Sequence, residues 1–209
     1  MIASEDEART YLARLSDRLA LDRLDMLVRE LSAENQRQNL IARATLPMVW
    51  RRHIADSAQL LELCEPCDGP WLDLGSGAGF PGLVIAAMRP DLSVVLVESR
   101  RRRIEWLEAV IANLGLENCR VEGQRLENVT PFEARIISAR AFAPLDRLLT
   151  LSAPFSTSST HWVLPKGRSA AHEVAGLPKN RRAMFHVEQS VTDPEAGIVV
   201  GRGEWSAKA

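Results

Sequence analysis

Trp71-Leu72-Asp73-Leu74-Gly75-Ser76-Gly77-Ala78-Gly79-Phe80-Pro81-Gly82 decides the fold of this chain. A short apolar run enters a glycine-dense turn, and the turn opens a helical pattern. Glycine lacks a Cβ, so such a turn bends sharply and lets a ligand approach the backbone. The next apolar run, Val94-Val95-Leu96-Val97, closes on an acidic residue, Glu98. Strand, glycine loop, helix, strand, carboxylate is the layout of a nucleotide-type cofactor site with a ribose acceptor.

From Trp71 onward strands and helices alternate. The pattern predicts strands at Trp71–Leu74, Ser93–Val97, Arg120–Glu122, Arg135–Ser138 and His161–Leu164. It predicts helices at Pro81–Met88, Arg101–Leu114, Pro144–Thr150 and Ala170–Ala175. Such alternation implies right-handed crossovers, a parallel sheet and helices on both faces. The tail reads differently. Ala183–Gln189 and Gly197–Val200 are two strand patterns joined by a short turn, which favours an antiparallel pair at the sheet edge. The fold class is therefore α/β: a Rossmann-like sheet, mostly parallel, with an antiparallel C-terminal edge.

Residues 1 to about 65 carry no strand signal and read as helices. Ser4-Glu5-Asp6-Glu7 has the capping-box pattern. A second helix is expected to turn Leu21, Leu24, Met26, Leu27 and Leu31 toward a core. A third is expected from about Pro47 to Leu63, with Pro47 in its first turn. The composition changes at Asp68-Gly69-Pro70, so an N-terminal helical cap (1–67) and a cofactor-binding domain (68–209) are expected.

Composition bounds the function. At 209 residues, 46% hydrophobic and 25% charged, the chain suits one well-buried globular unit. No apolar run approaches a membrane span, and the acidic opening Met1–Glu7 is unlike a secretory signal, so a cytoplasmic location is expected. With 26 basic and 27 acidic residues there is no whole-molecule basic field; a nucleic-acid partner must be held by local patches. Only Lys166, Lys179 and Lys208 are lysines, a bias that a GC-rich genome explains without phosphate recognition. Cys64-Glu65-Pro66-Cys67 has CxxC spacing. No second ligand pair accompanies it and no strand precedes it, so neither a structural zinc site nor a thioredoxin-like pair is expected.

The glycines fit two fingerprints. Gly75-x-Gly77-x-Gly79 with Asp73 ahead of it matches the loop of S-adenosylmethionine-dependent methyltransferases, and Gly77-x-Gly79-x-x-Gly82 fits the dinucleotide pattern. Asp73 inside the first strand favours the former, because a cationic methionine amino group has a use for it and a dinucleotide does not. The short chain and antiparallel tail point the same way. Glu98 is the expected ribose acceptor. An NAD(P)-dependent oxidoreductase and a non-catalytic nucleotide-binding regulator are the alternatives.

Further matches extend the pattern: Asn39-Leu40, Arg52-His53-Ile54-Ala55-Asp56-Ser57, Ser138-Ala139-Arg140-Ala141-Phe142 and Leu164-Pro165-Lys166-Gly167. With Asp73–Gly82 running on into Pro-Gly, the chain resembles, over nearly its whole length, the ribosomal RNA small subunit methyltransferase G family (glucose-inhibited division protein B). One departure is Glu34-Asn35, where the family often carries Trp-Asn. The resemblance implies an S-adenosylmethionine-dependent enzyme that methylates N7 of a guanosine, guanosine 527, in the 530 loop of 16S rRNA. It implies Gly75, Phe80, Leu126, Glu127 and Arg140 as cofactor residues, beside Asp73, Gly77 and Glu98.

Guanine N7 has a free lone pair at neutral pH, so no general base and no catalytic side chain are expected, only alignment. No metal ligand set is expected either. Arg140 and Lys166 follow strands on the cofactor side and are candidates for orienting guanosine or its phosphate, with a surface lysine in a Pro-Lys-Gly turn as the alternative for Lys166. Asn39, Arg52, His53 and Asp56 form a candidate interdomain or substrate-side cluster without individual roles. Arg51-Arg52-His53, Arg100–Arg103 and Lys179-Asn180-Arg181-Arg182 are candidate RNA contacts. The balanced charge favours rRNA within a small-subunit particle as partner, with no membrane and no obligate protein partner.

Overall fold

Seven strands form one sheet in a computed structural model that describes residues 1–65 and 68–206. They are β1 (Trp71–Leu74), β2 (Val94–Val97), β3 (Cys119–Glu122), β4 (Ile136–Ala139), β5 (His161–Gly167), β6 (Phe185–Gln189) and β7 (Gly197–Arg202), in the order β3-β2-β1-β4-β5-β7-β6. The first five are mutually parallel; β7 runs antiparallel to both β5 and β6. The expected antiparallel tail is present, with β6 as the outer strand. Four central residues in a row are buried in each of β1, β2 and β4, because helices cover both faces.

The helices are α1 (Glu5–Leu15), α2 (Arg18–Glu34), α3 (Asp56–Ala58), α4 (Gly82–Met88), α5 (Arg101–Leu114), α6 (Leu145–Ser152), α7 (Ala170–Ala175) and α8 (Lys179–Arg182). Strand alternation sorts the core into two layers. Trp71, Val94 and Leu96 face α4 and α5, and the leucines of α1 and α2 (Leu12, Leu24, Leu27, Leu31) join the same apolar cluster. Leu72, Leu74, Val95 and Ile137 face α6 and α7 on the other side. Asp73 shares the parity of Trp71 and so points toward the start of α4.

Local chemistry explains the helix ends. The Ser4 side chain accepts from the Glu7 N–H, and the Glu7 carboxylate reaches back to the Ala3 N–H at 2.7 Å, one residue before the usual capping-box partner. Asn35 ends α2 and is buried; its Oδ1 accepts from the Leu40 and Ile41 N–H groups (2.8 and 2.9 Å). In place of the family's Trp-Asn, Glu34-Asn35 thus still holds the loop that carries Asn39.

Two helical expectations need correction. Met26 is not in the core; it is exposed, and Leu21 is only partly buried. The segment 43–63 is not a regular helix with Pro47 at its start. It is a 3-10 turn (Arg43–Met48) that contains Pro47, a π-helical turn (Trp50–Ala55), α3, and a second 3-10 turn (Gln59–Leu63). The Glu5 carboxylate caps the π turn by accepting from the Trp50 and Arg51 N–H groups, both at 2.9 Å. Of the CxxC pair, Cys67 lies outside the described residues, and Cys64 donates to the Leu60 carbonyl.

Candidate functional site

The carboxyl ends of β1, β2 and β4 meet at the glycine turn. Gly75, Gly77 and Gly79 all take left-handed φ (64°, 55° and 101°), which explains three glycines at alternate positions. Gly82 serves packing instead: a Cβ there would lie 2.9 Å from Asp73 Oδ2. Gly77 is open; the nearest atom to a Cβ there is the Gly75 carbonyl at 3.6 Å.

Two buried carboxylates hold the turn. Asp73 Oδ1 accepts from Ser138 Oγ at 2.8 Å, and Oδ2 accepts from the Gly82 N–H at 3.3 Å. Trp71 Nε1 donates to the same Ser138 hydroxyl, fixing its orientation. Burial pushes the Asp73 carboxyl up to about 6, against these hydrogen bonds, which pull it down. Glu98 closes β2 and accepts three backbone N–H groups: Gly77 on Oε2 at 3.1 Å, and Ser99 and Arg100 on Oε1 at 2.7 and 2.8 Å. A carboxylate offers about four acceptor positions, so Oε2 keeps one for a ligand hydroxyl.

Two cavities flank this arrangement. The smaller, about 450 Å³, is lined by Gly75, Glu98, Leu126 and Glu127 of the expected cofactor residues. Leu126 is buried and offers an apolar wall, while Glu127 is exposed at its edge. The larger, about 920 Å³, is lined by Arg52, His53, Asp56, Arg140 and Lys166 among others. Phe142, Ala143 and Pro144 line both and form the partition. Asp73, Gly77 and Phe80 are not among the residues that line either cavity. Asn39 lines neither: it is exposed, and its carbonyl accepts from Arg103 at the start of α5.

The larger cavity is organised by Arg140. Its guanidinium lies 3.0 Å from His53 Nδ1, 3.5 Å from Asp56 Oδ2, and 5.2 Å from the centre of the Phe80 ring. His53 stacks on the other part of that contact, its ring 5.1 Å from Phe80. A guanidinium cannot accept, so His53 Nδ1 is the acceptor; its Nε2–H then donates to Thr45 Oγ1 at 2.9 Å. Asp56 also accepts from Thr192 Oγ1 and Gln59, and Arg52 pairs with Asp193 at 2.8 Å, so the turn between β6 and β7 is tied to the same cluster. Sequence reading placed Asp56 in the group without a partner; its link to Thr192, far along the chain, carries no local signal.

Lys166 is neither a surface lysine nor a free cation. Its side chain is 8% exposed, and its ammonium donates to the Ala143 carbonyl and pairs with Glu173 at 3.1 Å. Glu173 in turn accepts from the Leu145 N–H at 2.7 Å. Lys166 therefore braces the partition from behind. Among the basic runs, Arg101 pairs with Glu105 on its own helix, and Arg182 caps carbonyls of Ala175 and Leu177.

Burial, then the neighbouring charges of Arg140 and Arg52, lower the His53 pKa from 6.5 to about 3. A base with a depressed folded pKa adds stability that is complete above pH 6.5 and is lost as pH falls toward 3. His53 is therefore neutral at physiological pH. The ring carbon protons of His53, followed by NMR, are expected to show no titration step between pH 5 and 8. A midpoint near 6.5 would mean that His53 is not buried against Arg140 in solution.

A family model described as rRNA small subunit methyltransferase G matches residues 20–197. The chain belongs to that family. Curated relatives called ribosomal RNA small subunit methyltransferase G include one from Erythrobacter litoralis, 58% identical over 97% of this chain and 98% of its own. Another, from Novosphingobium aromaticivorans, is 55% identical over 96% and 89%. Among solved structures, an S-adenosylmethionine-dependent methyltransferase from Aquifex aeolicus matches with a TM-score of 0.57 at 15% identity, over 75% of this chain and 92% of that one. A precorrin-6y C5,15-methyltransferase from Geobacter metallireducens gives 0.53 at 10%, over 80% and 92%. These distant structures establish the class I methyltransferase fold. Family membership sets the oxidoreductase alternative aside, and β7 inserted antiparallel between β5 and β6 departs from the all-parallel 3-2-1-4-5-6 sheet of the dinucleotide enzymes.

Proposed function

We propose that this protein uses S-adenosylmethionine to methylate N7 of a guanosine in the 530 loop of 16S rRNA, guanosine 527. The single observation that supports it best is the pair of cavities sharing one thin wall at the end of β4. One presents an apolar face and a ribose acceptor; the other presents cations for a nucleotide.

The residues fit the cofactor. Glu98 Oε2 suits a ribose hydroxyl, Leu126 suits an adenine face, and the open backbone at Gly77 suits close approach. Asp73 is enclosed, so it acts on a cationic amino group through its field and through the turn it fixes. When bound, S-adenosylmethionine supplies a sulfonium methyl group that a lone pair on nitrogen can take up directly.

Arg140, with Arg52 beside it, faces the cavity where acceptor atoms of guanine and its phosphate would sit. His53 has both ring nitrogens engaged, so it orients Arg140 and moves no proton. The chain's contribution is alignment and exclusion of water. Residues 1–67 act as a cap over the domain 68–209, and the substrate is a cytoplasmic small-subunit particle, whose shape compensates for a net charge of −1. Among the described residues no helix is long and apolar enough to cross a membrane.

The test is incubation with tritiated S-adenosylmethionine and small subunits from a strain that lacks this enzyme, followed by mass spectrometry of rRNA fragments. A single 7-methylguanosine in the 530-loop fragment is expected. Label in another fragment, or none from protein that binds S-adenosylhomocysteine, overturns the reading. Naked short RNA methylated as well as the particle overturns the particle substrate alone.

A further inference from the structure

The partition between the cavities carries one side chain with no task so far. The loop from Arg140 to Leu145 is pinned at both ends: Arg140 by His53 and Asp56, the Ala143 carbonyl by Lys166, and the Leu145 N–H by Glu173. Between the pins Ala141 takes a φ of 55°, a left-handed conformation that residues with a Cβ avoid. Strain of this kind persists only where the surroundings over-determine it, and it gathers at ligand sites.

What the strained loop delivers is Phe142. Its ring lies against Gly75, where an added Cβ would come within 2.5 Å of it, and it lines both cavities. It is only partly buried. The other ring in the larger cavity, His53, is already stacked on Phe80. Among the described residues no ring or cation pairs with Phe142. An aromatic face at the junction of a cofactor cavity and a cationic cavity is suited to a flat, apolar-faced partner.

We propose that Phe142 is the surface on which the target guanine stacks; this rests on the reading under Proposed function. Phe142 borders both cavities, with Ala143 and Pro144, and is the aromatic among the three. Unpaired bases are commonly held on aromatic side chains, and such stacking is tolerant of base identity because every base has a π-face. Phe142 thus sets how far the base enters and at what tilt, while polar groups around Arg140 set which base it is.

The test uses Phe142→Leu, which keeps apolar bulk without a π-face, and Phe142→Tyr, which keeps the face. Both are assayed on small subunits that lack the methyl group, with S-adenosylhomocysteine affinity measured by calorimetry. Phe142→Leu is expected to lose roughly 5- to 150-fold in kcat/KM for the subunit, the range for one lost base–aromatic stack. Cofactor affinity is expected to stay within about twofold, and Phe142→Tyr to stay near wild type. Leucine as active as phenylalanine overturns the proposal. So does a loss in both variants that follows lost cofactor affinity, because Phe142 is then only the wall of the smaller cavity. Wild-type protein that labels no guanosine overturns the parent reading and this one together; the first two outcomes leave the parent reading standing.

Discussion

Glu98→Gln is expected to lose about 2–4 kcal/mol of S-adenosylhomocysteine binding, roughly 30- to 700-fold in Kd. The reason is the number of donors that converge on this carboxylate. Three backbone N–H groups point at it, from Gly77 on one side and from Ser99 and Arg100 on the other. Glutamine has one acceptor oxygen in place of two. Turned toward Ser99 and Arg100, it sets its NH2 against the Gly77 N–H and releases the glycine turn. Turned the other way, it sets its NH2 against the Ser99 and Arg100 N–H groups. The first orientation leaves no acceptor at Oε2 for a ligand hydroxyl; the second keeps a neutral one there in place of the charged carboxylate. Each hydrogen bond to a charged group contributes about 1.5–3 kcal/mol, and at least one is lost along with the turn's geometry. Calorimetry with S-adenosylhomocysteine measures the change. Wild-type affinity in the glutamine variant would show that the ribose is held elsewhere.

That Glu98 and the glycines could be found from sequence, and the Arg140 cluster only in part, has a physical basis. Strands buried on both faces and helices with one apolar stripe leave periodic signals, so Arg101–Leu114 and Ala170–Ala175 fall where the pattern puts them. A glycine turn between strand and helix is equally local. The segment 43–63 departs from its pattern because its geometry is fixed from outside, by Glu5 on the two N–H groups of Trp50 and Arg51. Lys166 was legible as a lysine after a strand, but its partners were not. β5 continues to Gly167, and Glu173 on α7 captures the ammonium. Asp73 was legible as an acid in the first strand; that it faces Ser138 and Gly82 depends on strand parity and on β4 lying alongside, which is topology. Asn39 was grouped with Arg52 and His53, yet the α2 cap at Asn35 directs its loop toward Arg103. Phe142 was legible only as the last residue of the matching run Ser138–Phe142 and had no role assigned, since one aromatic in a loop has no period and its position follows from pins on four other segments.

Gly79→Ala is expected to unfold the protein at a temperature well below that of Gly115→Ala, although both residues have left-handed φ (101° and 60°). Part of the cost is conformational, about 1–2 kcal/mol for a residue with a Cβ at the φ of Gly115 and no less at Gly79, whose φ lies outside the allowed left-handed region. The larger difference is space. A Cβ on Gly115 meets nothing within 4 Å, whereas on Gly79 it would lie 2.7 Å from Leu83 Cγ and 3.3 Å from Leu107 Cδ2. Both leucines are fully buried in the layer shared by α1, α2, α4 and α5, so neither can swing aside without moving its neighbours. Overpacking of this kind costs about 1–3 kcal/mol more. For a chain of this length that is a further drop of roughly 2–12 °C in Tm, readable by calorimetric melting. Gly77→Ala separates stability from binding: with a φ of 55° and open space beside it, its melting is expected to follow Gly115→Ala while its S-adenosylhomocysteine affinity falls. Equal melting losses at Gly79 and Gly115 would mean that the α4 layer yields to the methyl group, and that the turn owes its third glycine to backbone conformation alone.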